Sequence, residues 1–400
     1  MALSAETVAI VGEKTEQAVD ILKEKGIDLW ITFVRETSQV RDPMLDPLLG
    51  LDLTWISALL IHRSGERVAI VGRYDRDNVE RLDAYDRVIA YDQSIKRDLL
   101  ETIQGFDPQQ IALNYSEDDP ASDGLTVGLF RRLSSILTDT PYASRLTSAE
   151  SVIAAVRGRK TPTEIKLIQA AVDRTEDAIE RLSQMLRPGM TDLEIADFLH
   201  NFLKENGYGS SWAWDACPVV TVGPESSFGH GMPSGLKTER GNLVHIDFGI
   251  SRQGFVSDLQ RTWYLPEPGE IDVPPDVADA WEAVTQALEA GRAALKPGAK
   301  GWEVDTVARE TLIAAGYPEF MHAYGHQVGR TAHDGATVLG PKWDRYGTSI
   351  EGEVEVGNVF AIELGVKVAG RGYVSREENV VVKEDGAVYL STPQPEVWIL

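Results

Sequence analysis

The sequence predicts a mixed α/β chain in two domains: an α/β unit over residues 1–150 and a larger α+β unit over residues 151–400. Three observations predict it. Short apolar runs alternate with helical patterns through the first third of the chain. A long, well-capped helical segment then begins near Thr161. Beyond it, an order of helix, helix and hairpin occurs twice. With 400 residues, 43% of them hydrophobic, the chain can build a sizeable core in each domain.

In the first domain the segment TEQAVDILKEKG carries apolar residues at helical spacing and stops at Gly26, a residue suited to a left-handed C-terminal cap. DLWITFV around Trp30 and WISALLIHRSGERVAIVG, ending at Gly72, read as strands, the latter as a pair turning at Ser64 and Gly65. This domain offers His62 but no cluster of candidate ligands, so its expected role is structural or substrate-covering. In RGRKTPTEIKLIQAAVDRTEDAIERLSQMLRPGM, either Thr161 or Thr163 can cap a helix that has Pro162 in its first turn and ends before Pro188 and Gly189. The parallel between LRPGMTDLEIA and LKPGAKGWEVD reads as an internal duplication of an ααββ unit.

Composition narrows the function classes. The net charge of −23 repels nucleic-acid phosphates and anionic membranes, so neither is an expected partner. Cys217 stands alone, which rules out an intramolecular disulfide and a thiolate metal cluster and suits a reducing cytoplasm. The N-terminus lacks the pattern of a cleaved signal. Nor does any apolar run approach the roughly 18 residues that span a bilayer.

The chemistry is carried by acids set inside apolar strands. In LVHIDFGISRQGFVSDLQRTW, a hairpin closing at Arg252 and Gln253 would set Asp247 opposite Asp258, with Cβ atoms roughly 5 Å apart. In NVFAIELGVKVAGRGYVSREENVVV, a turn centred on Gly370 and Arg371 would set Glu363 opposite Glu378. Four buried acids in two facing pairs carry a large desolvation and repulsion cost unless cations sit between them, and a pair of divalent ions is the simplest answer. The segment MHAYGHQVGRTAHDG adds His322, His326 and His333, and SSFGHGMPSG adds His230, which supplies nitrogen donors. His245 lies two residues before Asp247 on the same strand face, either beside the site or merely packed.

In this order and spacing the residues resemble the metallopeptidase family of pita-bread fold that includes methionine aminopeptidase, aminopeptidase P, prolidase and the metal-free creatinase. The resemblance spans essentially the whole chain and implies a creatinase-like N-terminal domain ahead of a pita-bread catalytic domain. It implies that Asp247 chelates one metal, that His326 and Glu363 bind a second, and that Asp258 and Glu378 bridge the two. The ions implied are Mn or Co first, with Zn or Fe as alternatives. His230 matches a histidine that contacts the substrate or its leaving group. His322 and His333 match the pair flanking the ligand histidine in the proline-specific branch. Arg376 matches an arginine that approaches the substrate carboxylate or supports the acid network, and Glu363 is the natural proton shuttle.

The resemblance also implies a homodimer acting on small Xaa-Pro peptides, as an Xaa-Pro dipeptidase or, close behind, an aminopeptidase P. A hydrolase of small C–N substrates on the same scaffold is a further reading. A non-catalytic interaction module is disfavoured because a full ligand set is present. Where the family usually has a small or apolar residue two before the first aspartate, this chain has His245.

Overall fold

Ser4 starts the first helix, Ala5–Lys25, by accepting a hydrogen bond from the Thr7 backbone N–H on its hydroxyl, and Gly26 ends it with φ 70°. In this computed structural model residues 4–227, 229 and 231–400 are described. They divide into one unit ending at Arg157 and a second, Gly158–Leu400.

In the first unit, strands β1 (Leu29–Val34), β2 (Ser57–His62), β3 (Arg67–Gly72), β4 (Arg87–Tyr91), β5 (Ile111–Leu113) and β6 (Leu146–Ser148) form a sheet ordered β4-β3-β2-β1-β5-β6. β1, β2 and β3 pair antiparallel, whereas β4, β5 and β6 join in parallel. Successive residues of β1 enter different cores. Ile31 and Phe33 pack with Leu60, Leu99 and Leu133, while Trp30 and Val34 pack with Leu22, Leu59 and Val71. A sheet covered on both faces explains why its strands read as continuous apolar runs.

The second unit opens with helix Pro162–Ser183. Thr161 is its cap, in a reciprocal capping box with Glu164. Thr191 and Glu194 form the same box ahead of helix Asp192–Asn206. The strands that follow are β7 (Gly209–Ser210), β8 (Val219–Val222), β9 (Leu243–Phe248), β10 (Ile250–Arg252), β11 (Phe255–Val256) and β12 (Leu259–Tyr264). After helices Pro275–Ala294 and Gly301–Ala314 come β13 (Gly325–Gln327), β14 (Val338–Leu339), β15 (Val359–Val368) and β16 (Gly372–Lys383). The main sheet is ordered β14-β13-β15-β16-β12-β9-β8.

One face of this sheet is closed by the later helix pair. Val277, Trp281, Val284, Leu288, Val304 and Leu312 pack against Phe360, Ile362, Leu364, Val374, Val380 and Val382. The even-numbered residues of β15 and β16 thus face helices. Their odd-numbered neighbours face the other way.

Both hairpins differ in register from the expectation. Between β10 and β11 the turn is Gln253–Gly254, flanked by the pair Arg252 and Phe255; both turn residues have positive φ, 51° and 78°. Asp247 is therefore opposite Gln260, not Asp258. Asp258 is two residues earlier on that strand's side, a diagonal neighbour. The chain passes from β9 to β10 at Gly249, where a Cβ would come within 2.0 Å of the Ser257 carbonyl oxygen. Between β15 and β16 the turn is one residue longer than expected, so Glu363 is opposite Glu377 rather than Glu378. That single residue matters because a slip of one reverses every side chain on the strand.

Candidate metal centre

One rung of the main sheet builds the site. Reading across the strands at one level, Val219 is opposite Asp247, Asp247 opposite Gln260, Gln260 opposite Glu377, and Glu377 opposite Glu363. These five side chains share the face away from the helix pair and line a cavity of about 920 Å³ together with Asp258, His326, His322, His333, Trp212 and Tyr346. Asp258 is held there by the Asn379 side-chain oxygen, which accepts its backbone N–H at 3.0 Å.

His326 comes from β13, where it is opposite Ala361 of β15. Its Nδ1 lies 2.9 Å from the Ala332 carbonyl oxygen, an acceptor only, so Nδ1 carries the proton and Nε2 keeps its lone pair. That Nε2 is 3.9 Å from Asp258 Oδ2 and 3.8 Å from Glu377 Oε1. Donor atoms of Asp258, His326 and Glu377 all lie within 4.8 Å of one another.

The electrostatics of the cluster are those of a cation site. Burial pushes Asp247 up to about 7. Burial and then the Asp247 charge push Glu363 up to about 8. Asp258 and Glu377 rise well above the usual carboxylate range, first through burial and then through the neighbouring acids. Burial, reinforced by His333, takes His326 down to about 3, so its ring is a neutral donor at physiological pH.

Asp247 Oδ1, Asp258 Oδ1 and Glu377 Oε2 are buried without a hydrogen-bond partner among the described residues. Unsatisfied buried carboxylate oxygens are costly. An all-oxygen set completed by one imidazole is a donor set for divalent cations, which would satisfy these atoms and neutralise the repulsion. The residues present fit such ions.

Of the expected site residues, Asp247, Asp258, His326 and Glu363 converge here, with His322 and His333 on the cavity wall. His333 meets the His326 ring edge-on at a centroid distance of 4.4 Å. His230 lies outside the described residues. Two expectations are corrected by the register. Glu378 lies on the reverse face, accepting Arg261 Nη2 at 3.1 Å, the Ser391 hydroxyl at 2.6 Å and the Gln394 backbone N–H at 3.2 Å. Arg376 shares that face, donating to the Thr285 hydroxyl at 2.8 Å with its guanidinium over Trp281, so it does not line the cavity.

The residues not foreseen are Glu377, which takes the place expected for Glu378, and Gln260. The signal for Glu377 lay in parity. Most bulky apolar residues of β15 (Phe360, Ile362, Leu364, Val366, Val368) and of β16 (Val374, Val380, Val382) are even-numbered, with Val359 and Val381 the odd exceptions at the far end of the hairpin. That parity favours an odd-numbered acid as the one sharing a face with Glu363.

A model of metallopeptidase family M24 matches residues 166–384. The uncharacterized peptidase YqhT of Bacillus subtilis is 26% identical over 86% of this chain and 90% of its own length. The Xaa-Pro dipeptidase of Pyrococcus furiosus is 30% identical over 62% of this chain and 67% of its own length. Among solved structures, the X-Pro aminopeptidase of Thermotoga maritima is 26% identical and aligns with a TM-score of 0.69 over 96% of this chain and 99% of that one. The family match covers more than half of the chain and contains every acid and imidazole of the cluster, so this chain belongs to metallopeptidase family M24.

Proposed function

We propose that this chain is an Xaa-Pro exopeptidase, acting first as an Xaa-Pro dipeptidase, and that Asp247, Asp258, His326, Glu363 and Glu377 would hold a pair of divalent cations. The observation that carries the reading is the convergence of four buried, mutually repelling carboxylates and one imidazole lone pair on a single cavity. Mn or Co suits this donor set. When bound, such ions supply Lewis acidity and a hydroxide at neutral pH.

The chain's own residues supply the remaining tasks. Glu363 has one oxygen, Oε2, held by Gln260 Nε2 at 2.8 Å, which orients the carboxylate to take a proton from water and pass it to the leaving nitrogen. An Xaa-Pro bond releases a secondary amine, so this proton is as necessary as the attack. His322 and His333 on the cavity wall are placed to donate to the oxygen that gains negative charge. Trp212 and Tyr346 give the cavity apolar surface for the substrate's side chains.

A second reading, removal of the first residue from longer Xaa-Pro peptides, is favoured by a specific observation. Among the described residues lining the cavity there is no Lys or Arg to pair with a dipeptide's free carboxylate. The two readings separate in one assay. Metal-free protein reconstituted with Mn is given Ala-Pro and a longer Ala-Pro-Xaa peptide. Proline from Ala-Pro alone establishes the dipeptidase, and alanine from the longer peptide moves the assignment to the aminopeptidase. Cleavage of neither, with two ions bound per chain, would leave a small C–N hydrolase. A homodimer remains the expectation that the resemblance carries, and a cytoplasmic location the one that the lone Cys217 suits.

A further inference from the structure

Within the rung of acids stands one neutral polar side chain, Gln260, flanked across the strands by Asp247 and Glu377. It is 2% exposed, and each end of its amide is committed. The carbonyl oxygen Oε1 lies 2.9 Å from His245 Nε2 and accepts the Ser375 hydroxyl, while Nε2 donates to Glu363 Oε2 at 2.8 Å. The reverse amide orientation would set Oε1 against a carboxylate oxygen, so the network admits one arrangement. His245 is itself fixed. With its Nε2–H given to Gln260, its Nδ1 accepts the Thr221 hydroxyl at 3.3 Å.

A buried polar chain thus runs from Thr221 on β8 through His245 on β9 and Gln260 on β12 to Glu363 on β15. It ends on Glu363, a carboxylate of the cluster, through the Gln260 amide.

The geometry points to Gln260, oriented by His245 and Ser375, as a positioning residue that holds Glu363 in one rotamer, occupying Oε2 and leaving Oε1 for the cation. The inference rests on the reading of this cluster as a metal centre. It gives His245 a role that packing alone would not. An amide is the side chain this place calls for: an acid would add a further charge between Asp247 and Glu377, and an apolar residue would leave Glu363 Oε2 without its donor.

The test is Mn²⁺ affinity of the metal-free full chain, read by calorimetry or by the electron paramagnetic resonance of free Mn²⁺, with kcat and KM measured on the reconstituted protein. Gln260→Leu and His245→Leu should each weaken Mn²⁺ binding by about 10–100-fold, the range seen when a ligand's hydrogen-bond partner is removed. They should lower kcat while KM stays within about 2-fold. The double variant should be no worse than the weaker single, because both changes break one chain. His245→Gln, whose amide N–H can take the place of Nε2–H, should restore affinity to within about 5-fold of the parent.

Unchanged Mn²⁺ affinity in Gln260→Leu, or equal losses in His245→Gln and His245→Leu, would overturn the inference. Should Gln260→Leu fail to fold, Ser375→Ala, which removes one donor to Oε1, decides it: affinity must fall, and parental affinity refutes the role. Because Mn²⁺ binding needs no substrate, failure of the peptidase reading would show separately, as loss of Xaa-Pro cleavage in the parent with these affinity effects intact.

Discussion

Glu377 and Glu378 are adjacent acids on one buried strand, and the register assigns them opposite tasks, so exchanging each for glutamine should give opposite results. Glu378 is fully buried and pairs with Arg261, which is 2% exposed. Removing one partner of a buried ion pair costs about 3–5 kcal/mol, because the other charge is left uncompensated. At about 2–4 °C per kcal/mol for a unit of this size, Glu378→Gln should lower the melting temperature by about 6–20 °C. Its effect on bound metal should be small. Glu377 faces Glu363, with donor atoms of Asp258 and His326 within 4.8 Å. Like charges at that distance repel by about 3.5 kcal/mol at an effective dielectric constant of ~20. Glu377→Gln should therefore raise the melting temperature of the metal-free chain while reducing bound metal below the parent's content. The assay is calorimetric melting with and without Mn²⁺, beside elemental analysis of the dialysed protein. If Glu378→Gln loses metal while Glu377→Gln keeps it, the register and the face assignment are wrong.

The remaining predictions address the wall, the reverse face, a cap and a buried acid. His333→Ala should keep its full metal content and lose about 10²–10³-fold in kcat, the usual loss for one donor to a developing oxyanion, as checked by elemental analysis and steady-state kinetics. Arg376→Met should leave KM for Ala-Pro within about 2-fold, because the side chain lies behind the sheet over Trp281; a large rise in KM would put Arg376 in the cavity after all. Thr161→Ala should cost about 1 kcal/mol, hence about 2–4 °C in melting temperature, through loss of the capping box with Glu164. Burial pushes Asp42 up to about 6, above its unfolded value of 3.8, so the folded chain holds a proton that the unfolded chain releases. Its contribution to stability therefore falls as pH rises from about 4 to about 6, by about 3 kcal/mol. Asp42→Asn should flatten the melting curve across that window, and an unchanged pH dependence would refute the assignment.

Much of this protein was legible in its sequence, for local reasons. Gly26, Thr161 and the Ser64–Gly65 turn mark element ends through backbone chemistry that needs no distant partner. The strands of the first unit were legible as unbroken apolar runs. Acids inside the apolar strands of the second unit signalled a cation site, because such charges are costly wherever the strands pack. Asp247, Asp258 and Glu363 were expected on this ground, and His326 was singled out from the nearby histidines by the family resemblance.

What the sequence left to the tertiary structure was register and facing. Whether Glu377 or Glu378 turns toward the cavity depends on one residue of turn length, and the strand's own alternation settles it only once the helices of Pro275–Ala294 and Gly301–Ala314 have claimed the even face. Arg376 moved to the reverse face with Glu378 for the same reason. Gln260 carried no charge to attract notice, and its place between Asp247 and Glu377 exists only across paired strands. Local composition determines which groups a chain must bury. Which of them meet is decided by strand pairing, where a shift of one residue reverses the face.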